Sequence, residues 1–307
     1  MKKISTLKTN HAESVTLSSD GTKAYIADGT NGFVIADISN PTHPTKLGSC
    51  STYGYTYGIS LDVTLSKDET KAYIAAGDEG LVIVDISDPA NPTKLSSYDT
   101  NGYVYNIALS NDNSKAYIAV MGNCLAIVDI SDPANPTKLG SYDTNSYLYN
   151  ITLSSDETKA YIADEDKGLV IVDISDQTNP TKLGSYCTDA GYITLSSDET
   201  KAYIASGNKG LVIVDISDPT NPTKLGSYSI DGDAYRVTLS SDETKAYMVD
   251  WDKGLVIVDI SDPANPNKLG CCDIDGYTYN ITLSSDETKA YIANGRNGLV
   301  IVEIKDN

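Results

Sequence analysis

Few residues in this chain have the chemistry that enzymes most often use. There are two histidines (His11 and His43), two arginines (Arg236 and Arg296) and a single tryptophan, Trp251. A nucleophilic triad or a three-histidine metal site needs more histidine, and a sialidase-like cluster needs more arginine. Acidic residues are plentiful, so hydrolysis by paired carboxylates stays open, although no pair stands out. The expectation is therefore a protein without catalytic residues that is not an enzyme.

Three acidic stretches resemble fragments of a calcium loop. They are Asp231-Gly-Asp233, Asp273-Ile-Asp275-Gly276 and Asp164-Glu-Asp166. None completes the spacing of an EF-hand loop with its later glutamate. Phosphate-binding glycine loops are also missing from the sequence. We expect no metal and no cofactor, beyond weak and adventitious Ca²⁺ binding.

A repeated motif sets the positions of these residues. A version of Leu-Val-Ile-Val-Asp begins at Phe33, Leu81, Leu125, Leu169, Leu211, Leu255 and Leu299. The offsets between successive copies are 48, 44, 44, 42, 44 and 44 residues. This period is typical of propeller blades.

Each period contains four strand-like runs, which we name A to D. In the fourth period they cover residues 149–153, 159–163, 169–174 and 181–186. Turn-forming residues separate them, and run C is continuously apolar, as expected of a strand covered on both faces. The chain stops after a seventh run C, while residues 3–10 match the run D at 138–145. The sequence predicts an all-β, seven-bladed propeller of four antiparallel strands per blade. We expect one domain over residues 1–307, closed by the N-terminal strand.

The motif resembles a known family. The stretch LVIVDISDPANP is similar to the LVIVD-repeat β-propellers, and SSDGTKAYIAD is similar to the related YVTN-type repeats. The resemblance covers essentially the whole chain. It implies the propeller fold and bacterial or archaeal relatives, often surface-associated and of uncharacterised function. It brings no catalytic motif.

The loops differ in how strictly they repeat. The A–B and C–D turns are nearly constant, whereas the B–C and D–A connections vary in sequence and length. Constant turns support a fold and variable ones are free to bind, so the D–A/B–C face is the predicted ligand-binding face. Rare residues collect there in blades 6, 7 and 1, whereas His43 lies in a C–D turn on the other face. These candidates are Trp251, Asp250, Asp252, Arg236, Arg296 and His11. The alternative is that exposed loops simply tolerate variation.

Tyrosine is the second signal for binding. The chain has 22 tyrosines and one phenylalanine, and a tyrosine recurs just before run A. On the predicted face these residues would rim the channel and stack on sugars or peptide side chains. The alternative is that they fill the channel mouth. They are Tyr105, Tyr149, Tyr235 and Tyr279, with Tyr57 as an out-of-register counterpart. The tyrosines of KAYI are interpreted instead as core between blades.

Charge and cysteine usage limit the partners and the compartment. A net charge of −19 disfavours nucleic acid and acidic membrane surfaces. The N-terminal MKKISTLKTN lacks an apolar segment, so we expect neither an export signal nor a membrane span. Five cysteines at non-repeating positions are interpreted as thiols, which weakly favours the cytoplasm. The family resemblance instead allows a cell-surface location, and the oligomeric state stays open.

The predicted function is a non-enzymatic scaffold that binds a protein, peptide or glycan on the variable face. One alternative is a structural surface or assembly component without a discrete ligand. The other is a carboxylate-based hydrolase. The recurring Asp of LVIVD is interpreted as structural, because a catalytic residue is not needed in every blade.

Overall fold

A computed structural model of the protein describes residues 1–52, 62–121 and 124–304. These residues form 28 strands in seven four-stranded sheets. A 3-10 turn at Gly29–Asn31 is the one helical element within those ranges. The chain is a seven-bladed β-propeller with four antiparallel strands per blade, which confirms the predicted fold class.

Two compact units divide the chain. The first contains residues 1–120, 126–138 and 276–307, and the second contains residues 121–125 and 139–275. Blades 1, 2 and 7 and most of blade 3 belong to the first unit. Blades 4, 5 and 6 belong to the second.

The blades of the first unit follow the predicted A-to-D order. Blade 1 is β2 (Ser14–Leu17), β3 (Lys23–Ala27), β4 (Phe33–Asp37) and β5 (Thr45–Cys50). Blade 2 is β6 (Val63–Leu65), β7 (Lys71–Ala75), β8 (Leu81–Asp85) and β9 (Thr93–Tyr98). Blade 3 is β10 (Val104–Leu109), β11 (Lys115–Val120), β12 (Cys124–Asp129) and β13 (Thr137–Asp143). Blade 7 is β26 (Asn280–Leu283), β27 (Lys289–Ala293), β28 (Leu299–Glu303) and β1 (Lys2–Leu7).

The second unit repeats the same order. Blade 4 is β14 (Leu148–Leu153), β15 (Lys159–Asp164), β16 (Gly168–Asp173) and β17 (Thr181–Tyr186). Blade 5 is β18 (Tyr192–Leu195), β19 (Lys201–Ala205), β20 (Leu211–Asp215) and β21 (Thr223–Tyr228). Blade 6 is β22 (Ala234–Leu239), β23 (Lys245–Asp250), β24 (Gly254–Asp259) and β25 (Asn267–Asp273).

The N-terminal strand completes the last blade. Strand β1 pairs antiparallel with β28, with Lys2 opposite Glu303 and Leu7 opposite Leu299. Ile4 and Leu7 pack against buried residues of blades 1 and 7. The two ends of the chain are therefore joined by strand pairing, as the sequence predicts.

Burial explains why the runs B and C repeat so strictly. Leu169, Val170, Ile171 and Val172 of blade 4 are completely buried. Tyr161 of the KAYI run packs in one cluster with residues of blade 5, and burial raises its pKa to about 12. The interpretation of the KAYI tyrosines as core between blades is confirmed for this residue.

Side chains of the constant turns hold the hairpins. In blade 4, the Asp156 carboxylate accepts from the Ser154 hydroxyl at 2.6 Å and from the Thr158 amide at 3.0 Å. Glu157 between them has a φ of 55°. In the C–D turn, the Asp173 carboxylate accepts from the amide and hydroxyl of Ser175 at 2.9 and 2.6 Å. The structural role predicted for the Asp of LVIVD is confirmed here.

Buried polar side chains also link the A strands of the first unit. The Ser14 hydroxyl and the Asn106 amide donate to the Asp62 carboxylate at 2.9 and 2.6 Å. The Asn280 amide donates to the Ser14 hydroxyl at 2.9 Å. Four blades of this unit thereby share one chain of hydrogen bonds.

Candidate functional site

Blade 5 departs from its neighbours where strand A begins. Tyr192 pairs with Ala205 in blade 5, as Asn150 pairs with Ala163 in blade 4 and Arg236 with Val249 in blade 6. Gly191 therefore takes the place that Tyr149 and Tyr235 have in the adjacent blades. The missing side chain leaves a notch between those two tyrosines.

A pocket of about 460 Å³ lies at this notch, entirely within the second unit. We name it the blade-5 pocket. Its walls include Tyr149 from blade 4, Gly191 from blade 5, and Tyr235 and Trp251 from blade 6. The volume is within the range of small-ligand sites. Three of the sequence-predicted residues are thus brought together around a space that the sequence did not reveal.

Trp251 forms the blade 6 wall together with Tyr235. Their ring centroids are 5.1 Å apart in an edge-to-face arrangement. The Trp251 amide donates to the Asp233 carbonyl at 3.0 Å, which fixes the B–C turn against the D–A loop. The indole is partly exposed, so one part of it is available to a ligand.

The two aspartates beside Trp251 have different roles. Asp250 is buried, and its carboxylate accepts from the amides of Asp252 and Lys253 at 3.1 and 3.2 Å. The same carboxylate lies so close to Gly232 that a Cβ there would be 2.0 Å from it. Asp252 is exposed, and neither aspartate lines the pocket. The structure thus gives Asp250 a role in shaping the turn that carries Trp251.

Three carboxylate residues line the blade-5 pocket: Glu165, Asp189 and Asp233. All three are exposed. The Tyr149 hydroxyl donates to Glu165 at 3.0 Å, which holds that carboxylate at the blade 4 wall. Asp189 forms a surface ion pair with Lys209 at 3.1 Å. The pocket therefore combines aromatic rings with negative charge.

Arg236 lies beside this arrangement without lining it. Its guanidinium carbon is 4.1 Å from the centroid of the Tyr192 ring, and it donates to the Tyr192 hydroxyl at 2.9 Å. Arg236 belongs to strand β22 rather than to a loop tip. The positive charge of Arg236 is therefore engaged by Tyr192 within the fold.

The remaining candidates lie in the first unit, where two of them touch. The His11 and Tyr279 rings are 5.4 Å apart, and Nδ1 of His11 lies 3.2 Å from the buried carboxylate of Glu13. Burial, and then the charge of Glu13, raises the pKa of Tyr279 to about 12. The His11 amide donates to Asp28 at 2.8 Å. Glu13 was not among the residues singled out from the sequence.

Tyr105 belongs to blade 3 of the same unit, and Arg296 belongs to blade 7, as Tyr279 does. Tyr105 is buried, with its ring 5.2 Å from that of Tyr103. Arg296 is exposed in the blade 7 B–C turn, and its carbonyl accepts from the Lys8 ammonium. Tyr57 lies outside the described residues.

Across residues 1–52, 62–121 and 124–304, no three His, Cys, Asp or Glu residues are grouped as metal ligands would be. In that same part of the chain, no helix has the length and apolar character needed to cross a bilayer.

One signal in the sequence could have located the pocket. The fifth copy of the repeat comes 42 residues after the fourth, two fewer than the usual 44. The shortening falls in the D–A connection and removes a tyrosine from the rim. The shortening points to the D–A loop that contains Asp189 and Gly191, whereas Glu165 and Asp233 on the neighbouring blades follow only from the structure.

The model of the LVIVD repeat matches this chain seven times. The matches cover residues 11–52, 59–100, 101–144, 157–188, 199–230, 231–274 and 275–307. No protein of curated function matches the sequence significantly.

Solved propellers resemble the fold at low sequence identity. A provisionally named 6-phosphogluconolactonase from Bacteroides fragilis aligns with a TM-score of 0.78 and 13% identity, over 90% of this chain and 88% of that one. A similarly named protein from Bacteroides uniformis gives 0.75 and 12%, over 89% and 88%. The β-propeller domain of Cps50 (Swd1) from Myceliophteria thermophila gives 0.77 and 13%, over 99% of both chains. At such identities the likeness shows the fold alone.

Proposed function

Because the chain belongs to the LVIVD repeat family, we propose that it is a non-enzymatic scaffold that binds a protein, peptide or glycan on its B–C and D–A loops. The blade-5 pocket is the proposed centre of this site. The observation that carries the proposal is the notch at Gly191, which leaves Tyr149, Tyr235 and Trp251 around an open space. Aromatic rings with a polar edge are the side chains that recognition sites use most.

The other candidates take supporting places in this proposal. Asp250 and Arg236 position the walls, since both are engaged within the fold. The group of His11, Tyr279 and Arg296 is a second candidate surface within the first unit, whereas Tyr105 is buried beside Tyr103. Binding is favoured over hydrolysis because three aromatic residues line the pocket, which is typical of recognition sites.

The single tryptophan provides the test. Trp251 is excited where tyrosine barely absorbs, and its emission is followed while peptides and oligosaccharides are added. A saturable shift is expected, and replacement of Trp251 by Ala in a calorimetric titration should weaken binding roughly thirtyfold, as for an aromatic hot spot. Tyr277→Ala is the control, since Tyr277 is an exposed aromatic residue of the first unit.

A second variant tests the pocket itself. Gly191→Tyr restores the residue of the adjacent blades, and a Cβ there would meet only the carbonyls of Ala205 and Tyr235 at 3.5 Å. It should fold normally and abolish binding. Unchanged binding would place the ligand elsewhere. Polymerisation in light scattering without ligand binding would favour the assembly component, and turnover of a lactone or glycoside would favour a hydrolase.

A further inference from the structure

The charge of the blade-5 pocket indicates which ligand it takes. Glu165, Asp189 and Asp233 contribute to its lining, whereas none of its described lining residues is Lys or Arg. Carboxylates gathered beside aromatic walls are stabilised by a positive charge that a ligand brings. Sugar hydroxyls supply hydrogen bonds but no such charge.

The aromatic walls favour the same ligand. The faces of Trp and Tyr rings carry negative potential and attract ammonium and guanidinium groups. Trp251 and Tyr235 meet edge to face, so their rings are differently oriented on one side of the pocket. Tyr149 stands on the opposite side, where its hydroxyl holds Glu165.

The positively charged side chains near the pocket already have partners, and these pairings differ in strength. Arg236 is stacked on Tyr192 and hydrogen-bonded to it. Lys253 is paired with Asp231 at 2.9 Å, outside the pocket lining. Lys209 pairs with Asp189, and both side chains are more than half exposed. An exposed pair of this kind is weak, so an incoming cation can replace Lys209.

We propose that the blade-5 pocket binds the cationic side chain of a basic peptide segment, an arginine or a lysine. This rests on the binding function proposed above and names its ligand class. The ring faces of Tyr149, Tyr235 and Trp251 receive the stem and the charged head. Glu165, Asp189 and Asp233 neutralise the charge. The net charge of −19 accelerates the encounter with such a segment.

The experiment compares three probes by Trp251 emission and calorimetry. The first is a capped glycine-rich pentapeptide with one central arginine, the second has citrulline at that position, and the third is a neutral oligosaccharide panel. The arginine peptide should bind between about 3-fold and 30-fold more tightly than the citrulline peptide, the range expected for a cation against aromatic rings. Its affinity should fall with added salt.

Lys209→Gln is the decisive variant. Removal of the competing ammonium frees Asp189, so the arginine peptide should bind about 2-fold to 5-fold more tightly, the size of one surface ion pair. Lys224→Gln makes the same charge change on strand β21 of the same blade, where the side chain is exposed and outside the pocket lining. It should leave the affinity unchanged.

The outcomes separate the two proposals. The cationic ligand would be overturned if the arginine and citrulline peptides bound equally tightly, or if only oligosaccharides bound. If Gly191→Tyr abolished that binding, the proposal of a binding pocket would still stand. Binding that Gly191→Tyr does not affect, or no binding of any probe, would overturn both. If Lys209→Gln and Lys224→Gln raised the affinity for the arginine peptide equally, the gain would come from the net charge. That result would overturn the proposed competition of Lys209 for Asp189.

Discussion

The guanidinium carbon of Arg236 lies 4.1 Å from the centroid of the Tyr192 ring, and the same group donates to the Tyr192 hydroxyl. Strand A of blade 6 is thereby tied to strand A of blade 5 by a cation over an aromatic face. The two residues follow Gly191 and Tyr235, which line the blade-5 pocket, by one position in the sequence. This contact keeps the blade 6 wall in place.

Replacement of Arg236 by Leu should therefore lower stability. The cation–π contact and its hydrogen bond together contribute about 1–2 kcal/mol, so the free energy of unfolding in urea should fall by about that amount. Arg296→Leu removes the same charge from an exposed turn and should change stability by less than about 0.5 kcal/mol. Equal effects of the two variants would contradict a local role for the stack.

The repeat predicts most of the fold because most copies encode the same contacts. The buried run Leu169–Val172, the Asp156 turn and the Asp173 turn each recur with the same or similar side chains in most copies, so one correct interpretation applies to most blades. The match between residues 3–10 and a D strand predicted the pairing of β1 with β28. Local pattern was sufficient at these places.

The site depends on positions where the copies differ, and these follow from register rather than pattern. Arg236 looks like a loop residue in the sequence, but a bulge between Ala234 and Arg236 places it in the strand opposite Val249. Gly191 becomes equivalent to Tyr149 only through the pairing of Tyr192 with Ala205. The Asp62–Asn106 contact joins residues 44 apart on neighbouring blades. These features can be predicted only when the pairing of the strands is known.

The constant A–B turns should make stability depend on acid pH. Hydrogen bonds, first from the Ser154 hydroxyl and then from the Thr158 amide, lower the pKa of Asp156 from 3.8 to about 2. Since the pKa is depressed in the folded state, the contribution is present above the unfolded value near 4. It is lost as the pH falls towards 2. Each turn contributes little because its carboxylate is exposed.

Titration by NMR of the Asp156 carboxyl group checks this directly. Ser154→Ala removes the largest cause, so the pKa of Asp156 should rise towards its ordinary value, and the loss of stability between pH 4 and 2 should become smaller. Ser155→Ala, one residue along the same turn, is the control and should leave the midpoint in place. A wild-type midpoint near 3.8 would contradict the role of these hydrogen bonds.

Strand β1 should be needed for the stability of blade 7. It supplies the fourth strand beside β28, with Ile4 and Leu7 packed on the core. Deletion of residues 1–9 should lower the free energy of unfolding by about 2 kcal/mol or more, since one large apolar side chain alone contributes roughly 1.5–3 kcal/mol when buried. A synthetic peptide of residues 1–9 added to the truncated protein should restore the midpoint of thermal unfolding. The same peptide with Ile4 and Leu7 exchanged for Ser should not.

Two glycines of the second unit should respond in opposite ways to an added methyl group. A Cβ on Gly184, in strand β17, would lie 2.3 Å from the carbonyl oxygen of Pro219 in the next blade's C–D turn. That backbone cannot withdraw without separating the blades, so Gly184→Ala should lower the free energy of unfolding by roughly 1–3 kcal/mol. A Cβ on Gly191 would meet carbonyls only at 3.5 Å, which is ordinary contact. Gly191→Ala should therefore be neutral or stabilise by about 0.4–1 kcal/mol, since it restricts the unfolded chain.

Urea unfolding of both variants measures the contrast. A large loss of stability in Gly191→Ala would mean that the backbone at this position requires glycine. The notch would then be required by the fold and would not indicate a space for a ligand.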